Sequence, residues 1–356
     1  MADISNDTIS VSGGFPRTVQ SKVYEYVSVL DFLSSSDPAN NFTNAFRRAL
    51  ATGKNVFVPP STGYYRISDS LTISVPGQVI FGYAGGSRIN VDGGFNMAAL
   101  GVVIIDPACS EFNSGIDGIE INFSQPVNVT QRSDLIHYPY AIYAPNVTRL
   151  KFGHLKISNA WNGMYLNGNT GGLIADVIEI GSYNLGLSCG GSMDWWNINT
   201  LTFWPYGISY QNLYLDPLNV AARFGRVDGL NVKVLNCLYL QVIIEATGSE
   251  AGFGTINTLS LDANGRIDIL SGNYNIGAWY ATSGFDRYSI HVGGASVTFG
   301  PGRLLQFAGA NQNPSILVNA GTANFGPLIC DNSSSSVPVI VQTGGVFATG
   351  SARVSD

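Results

Sequence analysis

Charge is what this sequence has least of. Only 12% of its 356 residues are Asp, Glu, Lys or Arg, against roughly 25% in an average soluble protein. The 18 basic and 24 acidic residues give a net charge of −6, and no basic run occurs anywhere. Phosphate binding needs clustered Lys and Arg, so no nucleic-acid partner is expected. Disorder is excluded too, because apolar residues stand at an ordinary 45% while disorder needs high charge and few large apolar groups. No apolar run approaches the roughly 18 residues of a membrane span. The amino-terminal stretch lacks the charged and apolar regions of a secretory signal. A soluble product without membrane insertion is expected. Four cysteines, Cys109, Cys189, Cys237 and Cys330, lie far apart without CxxC spacing and read as buried small hydrophobes. Three histidines, His137, His154 and His291, have no acidic partner at a metal-binding spacing. No metal or cofactor is expected.

What is abundant is glycine, 42 residues, set among Asn, Ser and β-branched residues that disfavour helix. The one convincing helix is predicted at about 38–51. Asp37 caps it, Pro38 opens it and Gly53 closes it, with Phe42, Ala45, Phe46, Ala49 and Leu50 on one apolar stripe. Short alternating strands then recur between Gly, Asn and Pro. From about residue 146 they repeat with a period in the low twenties: Leu155 and Ile157 recur as Ile178 and Ile180, then as Leu201 and Phe203. Gly163 recurs as Gly186 and Gly207. Such a period signals a solenoid whose turns cannot bury a core alone. The expected fold is all-β: a single-stranded parallel β-helix, whose right hand comes with the resemblance described next, with the amphipathic helix covering its first coil against edge pairing. The expected boundaries are an arm at 1–30, the β-helix at 31–350 and a tail at 351–356.

Several segments resemble a known family. Arg17–Gln20, Val27–Phe32, the helix, and Val58–Tyr65 are similar to the opening of bacteriophage tailspikes of the pectate-lyase-like right-handed β-helix group. The family's frequent Gly-Asp-Gly after Asp-Phe is absent, replaced by a loop from Leu33 to Pro38. A second block, Gly115 to Gly207, is similar to a subgroup of such phage proteins. The resemblance implies a homotrimer on the virion tail, docked to a tail or baseplate protein through the arm. It also implies binding, and usually cleavage, of a bacterial surface polysaccharide such as capsule or O-antigen. It does not specify the chemistry, because one scaffold carries hydrolases, lyases, esterases and plain binders.

Glycoside hydrolysis needs two carboxyl groups across the scissile bond. Adjacent coils supply such pairs, since equivalent positions stack about 4.8 Å apart. Asp194 and Asp216 differ by 22 residues, one coil by the repeat, and enclose the chain's richest aromatic stretch. They are the expected acid/base pair, with Glu245 the first substitute. Trp195, Trp196, Trp204, Tyr206, Tyr210 and Tyr214 are the expected sugar-stacking residues, less Phe203 and one tryptophan that belong to the core. Arg223 and Arg226 can hold an acidic sugar, and Asp228 can pair with one of them. Asp117 with Glu120, and Asp176 with Glu179, rank lower, because residues three apart on a strand face opposite sides. A polysaccharide lyase and a non-catalytic receptor-binding spike stay open as alternatives.

Overall fold

The computed structural model describes residues 8–9, 17–18, 26–245, 251–263, 265–283, 288–306, 314–332 and 339–355. The chain winds as a right-handed parallel β-solenoid of about 11 turns. Each turn contributes short strands to three faces, and every face is a parallel ladder. On the first face, Val56, Ile80, Ile116, Phe152, Ala175, Ile198, Val232 and Ile256 lie in consecutive register. The second face stacks Tyr65, Ile89, Ile121, Ile157, Ile180, Phe203, Cys237 and Leu261. The third stacks Leu71, Val103, Ile142, Met164, Leu187, Ala222, Val242 and Ile267. All of these are buried. Burial of each large side chain is worth about 1.5–3 kcal/mol, and no single turn collects enough of it to stand alone.

Predicted and observed registers agree where the coils are regular. Leu155 pairs with Ile178 and Ile178 with Leu201, while Ile157, Ile180 and Phe203 stack in the same order. Gly207 does not join this repeat. The residues flanking Gly186 pair with Val220 and Ala222, so Gly186 faces Ala221, and Gly207 lies in a loop. All four cysteines are free and buried, Cys237 as a rung of the second-face ladder.

The helix is shorter than its sequence signals, running Thr43–Leu50. Asp37 and Pro38 belong to the preceding turns, where Asp37 accepts the Ser34 amide and pairs with Arg48. Phe42 stands at the N-cap without a side-chain cap, and Asn41 just before it accepts the Thr43 amide on its Oδ1 at 3.0 Å. The predicted stripe holds: Ala45, Phe46, Ala49 and Leu50 are buried, and Phe42 packs against them. Gly53, at φ +75°, ends the segment. The ladder also takes in Tyr26–Ser28 and Ala352–Ser355, beyond the 31–350 boundaries. Among the described residues no helix is long and apolar enough to cross a membrane.

Candidate functional site

Two insertions interrupt the corner between the second and third faces. One spans residues 124–139, after the strand Ile119–Phe123. The other spans 204–219, after the strand Trp196–Phe203. The second explains a long coil: Phe152, Ala175 and Ile198 are spaced by 23 residues, but Ile198 and its partner Val232 by 34. The insertions touch where the Tyr210 hydroxyl donates to the Pro126 carbonyl. Asn159 pins the later one. It turns the chain at φ +59°, a left-handed conformation that Asn tolerates. Its side chain donates to Phe123 O at 2.7 Å and accepts from the Tyr183 hydroxyl at 2.8 Å and the Ser209 amide at 3.2 Å. Gly207 lies flat on the second face. A Cβ there would sit 3.1 Å from the Ser158 Cβ, at φ +62°.

The outward row of the second face beneath this loop runs Arg88, Glu120, Lys156, Glu179, Thr202, one residue per rung. Glu120 is only 8% exposed. Arg88 Nε lies 3.2 Å from its Oε2, Lys156 Nζ 3.7 Å from its Oε1, and Ser158 Oγ donates to it at 3.0 Å. Glu179, two rungs on, has Oε2 at 3.0 Å from His154 Nε2 and shares a hydrogen bond with the Tyr206 hydroxyl. Burial first, and then Glu179, pushes the Tyr206 phenol well above its ordinary range, so it stays a protonated donor. Lys156 lies 5.3 Å from the Tyr206 ring centroid. Two rungs put about 9.6 Å between the two Glu backbones. Both carboxylates take partners from the strand between them, Lys151–Asn167: Glu120 from Lys156 and Ser158, Glu179 from His154.

The expected pair is not stacked. Asp194 lies before the first-face strand, exposed, with Oδ1 accepting the Trp195 amide at 2.8 Å. Asp216 lies before the third-face strand, accepting the Leu218 amide at 2.8 Å and facing Arg132. The residue one rung from Ser192 is Val227, so the neighbour of Asp194 is the Asp228 region. The physical reason is the insertion: 22 residues of sequence cover only two faces of this coil. Glu245 is exposed, its amide donating to Phe224 O at the end of the third face, apart from both.

The aromatic stretch divides. Trp196 and Tyr214 are fully buried, with Trp196 Nε1 donating to Thr170 O at 2.8 Å; Phe203 is buried as expected. Trp195 is exposed at the first-face corner, where Gly229 packs on it. Tyr210 ties the two insertions together. Only Trp204, 41% exposed, and Tyr206 belong to the loop beside the Glu120–Glu179 row. Arg226 pairs with Asp228 at 2.7 Å, and Arg223 stands exposed on the third face. Glu120 and Glu179 are the residues that spacing arguments underrate. Each was weighed against a neighbour three residues away, yet its partner is two coils away; Asp117 and Asp176 do point elsewhere, to the His154 amide and to Asn199.

No family model matches the sequence, and no curated protein matches it. Among solved structures, the catalytic unit of a thermostable GH87 alpha-1,3-glucanase from Streptomyces thermodiastaticus strain HF3-3 is similar, with TM-score 0.52 and 13% identity over 94% of this chain and 69% of that one. The chain shares the fold of that catalytic unit. Bacteriophage CBA120 tailspike protein 2, as its enzymatically active domain, and tailspike protein 3 are also similar, each with TM-score 0.41, at 13% and 12% identity. This chain matches them over 99% and 98% of its length and spans 50% and 64% of theirs. At 13% identity the likeness to the glucanase unit is one of fold alone.

Proposed function

We propose that the protein is a phage tailspike that depolymerises a bacterial surface polysaccharide by endo-glycosidic hydrolysis, with Glu120 and Glu179 as the carboxyl pair. The observation that carries this reading is their placement: one outward row, two rungs apart, both leaning on the strand between. Two rungs of backbone, about 9.6 Å, are of the order of the roughly 6.5–9.5 Å between carboxyl groups that inverting glycosidases use to seat a water. Neighbours divide the roles. Glu120, between Arg88 and Lys156, is the base that takes a proton from water as its oxygen attacks the anomeric carbon. Glu179, beside Tyr206 and His154, is the acid that protonates the leaving oxygen as the glycosidic bond breaks. Trp204 offers an exposed ring face for a neighbouring sugar.

A lyase is the second reading, favoured by Lys156 and Arg88, which suit a uronate carboxylate. Against it stands Tyr206, whose raised phenol is a poor base. Incubation with purified capsule and lipopolysaccharide chains from candidate hosts, followed by sizing, tests the activity. Shortened chains without ultraviolet absorption support hydrolysis; an absorbing unsaturated product makes it a lyase; intact chains throughout make it a binder.

Two further parts of the reading rest on the amino-terminal resemblance. The arm docks to a tail or baseplate protein, and three copies assemble in parallel as a closed C3 spike. Exposed rings on the first coils, Tyr26 (47%) and Tyr83 (62%) flanking Phe57 and Phe81, form a patch that assembly would cover. Light scattering at three times 37.9 kDa across dilution is the expected result; a monomer mass removes the trimer.

A further inference from the structure

The third face carries a different outward row: Ile104, Tyr143, Tyr165, Ser188, Arg223, Ile243. Tyr143 and Tyr165 stack with ring centroids 5.0 Å apart and planes 12° apart. Tyr140 also touches Tyr165, with centroids 5.1 Å apart, from the same rung as Tyr143, so the side of Tyr165 towards the next rung faces along the solenoid axis. The next rung there is Ser188, too short to cover a ring, and the rung after it is Arg223. Arg223 is exposed and has no ion-pair or hydrogen-bond partner among the described residues. Two rungs place the Tyr165 and Arg223 backbones about 9.6 Å apart, and a ring stacks on a tyrosine at about 4.5–7 Å. One ring therefore fits between them. Its edges meet polar groups: Asn167, which donates to Ser188 Oγ at 3.0 Å, on one flank, and the Asn184–Asn162 amide pair at 2.8 Å on the other.

We propose that this slot binds an anionic sugar of the polysaccharide, its ring on Tyr165 and its carboxylate on Arg223. The inference rests on the glycan reading above and narrows it to an acidic chain held on a second face, away from Glu120 and Glu179. Charge complementarity selects the ligand. In a chain of net charge −6, a guanidinium with no partner among the described residues, next to a half-buried ring, suits a carboxylate-bearing pyranose, with its apolar ring face and forked anion.

The test is binding in a Glu179→Gln background, so that turnover does not consume the ligand. The probes are hyaluronan, alginate and colominic acid, each compared with its carboxyl-reduced form. At least one anionic polymer should bind, and carboxyl reduction should weaken it about tenfold or more, as for loss of a charge-assisted hydrogen bond. Arg223→Gln should weaken it equally and make the protein indifferent to carboxyl reduction. Tyr165→Ala should weaken anionic and reduced polymers alike. Arg223 is exposed, so its variant keeps the test decisive even if Tyr165→Ala fails to fold by circular dichroism. No binding of any anionic polymer, or binding that ignores Arg223→Gln, overturns the slot. Cleavage separates the two readings. Turnover lost in Glu120→Gln with no effect of Arg223 overturns the slot alone, whereas Arg223-dependent binding without turnover in the parent protein overturns the hydrolase and leaves the slot.

Discussion

Two outward rows of the same solenoid show what the scaffold does and does not decide. On the second face, Arg88, Glu120, Lys156 and Glu179 alternate in charge from rung to rung, and an insertion folds over them. On the first face, Asn197, Asn231, Thr255, Asn275, Thr298 and Asn324 occupy successive rungs with neutral side chains. Spacing and backbone are the same in both. Inward positions repeat because a coil must bury them, whereas outward positions are free to differ. The difference is therefore chemical: one row gathers groups able to move protons, and the other presents amides and hydroxyls able only to hydrogen-bond.

The largest expected effect separates the rows by turnover. Glu120→Gln or Glu179→Gln should leave the fold intact and lower the rate of polysaccharide chain scission by about 10²–10⁴-fold, the contribution of a positioned acid or base. Asp194→Asn and Asp216→Asn, at different corners of the coil, should stay near the parent rate. If the two aspartate variants collapse while the glutamate variants keep their rate, the second-face assignment fails and the reacting groups belong at the corners.

A stability experiment probes a third kind of row. On the third face Asp268 is 2% exposed, with Arg266 at 2.5 Å, Gln241 at 2.5 Å and His291 at 2.8 Å. Burial alone would raise its pKa, but the hydrogen bonds from His291 and Arg266 outweigh it and hold the carboxyl below its ordinary value of 3.8. A depressed folded-state value means that the stabilisation is complete above that ordinary value and is lost as pH falls through the folded one. Asp268→Ala should cost about 3 kcal/mol at neutral pH, because it leaves the partly buried Arg266 guanidinium without its carboxylate. Asp268→Asn should flatten the acid limb of the denaturation curve. An unchanged acid limb would show that other carboxylates govern acid unfolding.

How much of this was legible beforehand follows from the same division. The inward repeat of Leu155, Ile178 and Leu201 was readable because burial enforces both period and residue type. The helix stripe was readable for the same reason, while its start was not: the helix begins after Phe42, and Asp37, which Arg48 draws into the preceding turn, does not cap it. Site geometry depended on coil length, and the insertion at 204–219 added residues without adding a rung. Counting 22 residues from Asp194 therefore stopped one face short of a full turn. The Glu120–Glu179 relation was hidden in the opposite sense, since their separation spans one coil of 36 residues and another of 23, a spacing no fixed period contains. Composition carried no information on which aromatics face out, and burial divided Trp195 from Trp196 although they are adjacent.

A smaller effect concerns the sugar-contact surface next to the charged row. Trp204→Ala should weaken polysaccharide binding by about 1–3 kcal/mol if its exposed face stacks on a ring, in the range of interface truncations. Trp195→Ala, equally exposed but at the first-face corner, should change binding less. Calorimetry on both variants in the Glu179→Gln background orders them, and a larger loss from Trp195 would move the binding groove to the first face.

The smallest expected effect is on the neutral row itself. Asn231 and Asn275 are exposed on the first face, so their side chains are solvated in the free protein. Truncation to Ala removes no buried contact, and such surface changes usually stay within about 0.5 kcal/mol. Asn231→Ala and Asn275→Ala should therefore leave melting temperature, polysaccharide affinity and turnover close to those of the parent. The result gains force from the groove that Asn197, Asn199, Asn231, Lys233, Thr255 and Asn257 line on this face, which has the shape of a binding surface but no carboxyl group among these residues. A large loss of affinity from either substitution, with thermal stability unchanged, would show that the amide row holds the sugar chain. Recognition would then lie on the first face and chemistry on the second, and a polysaccharide long enough to reach both would have to wrap the corner between them.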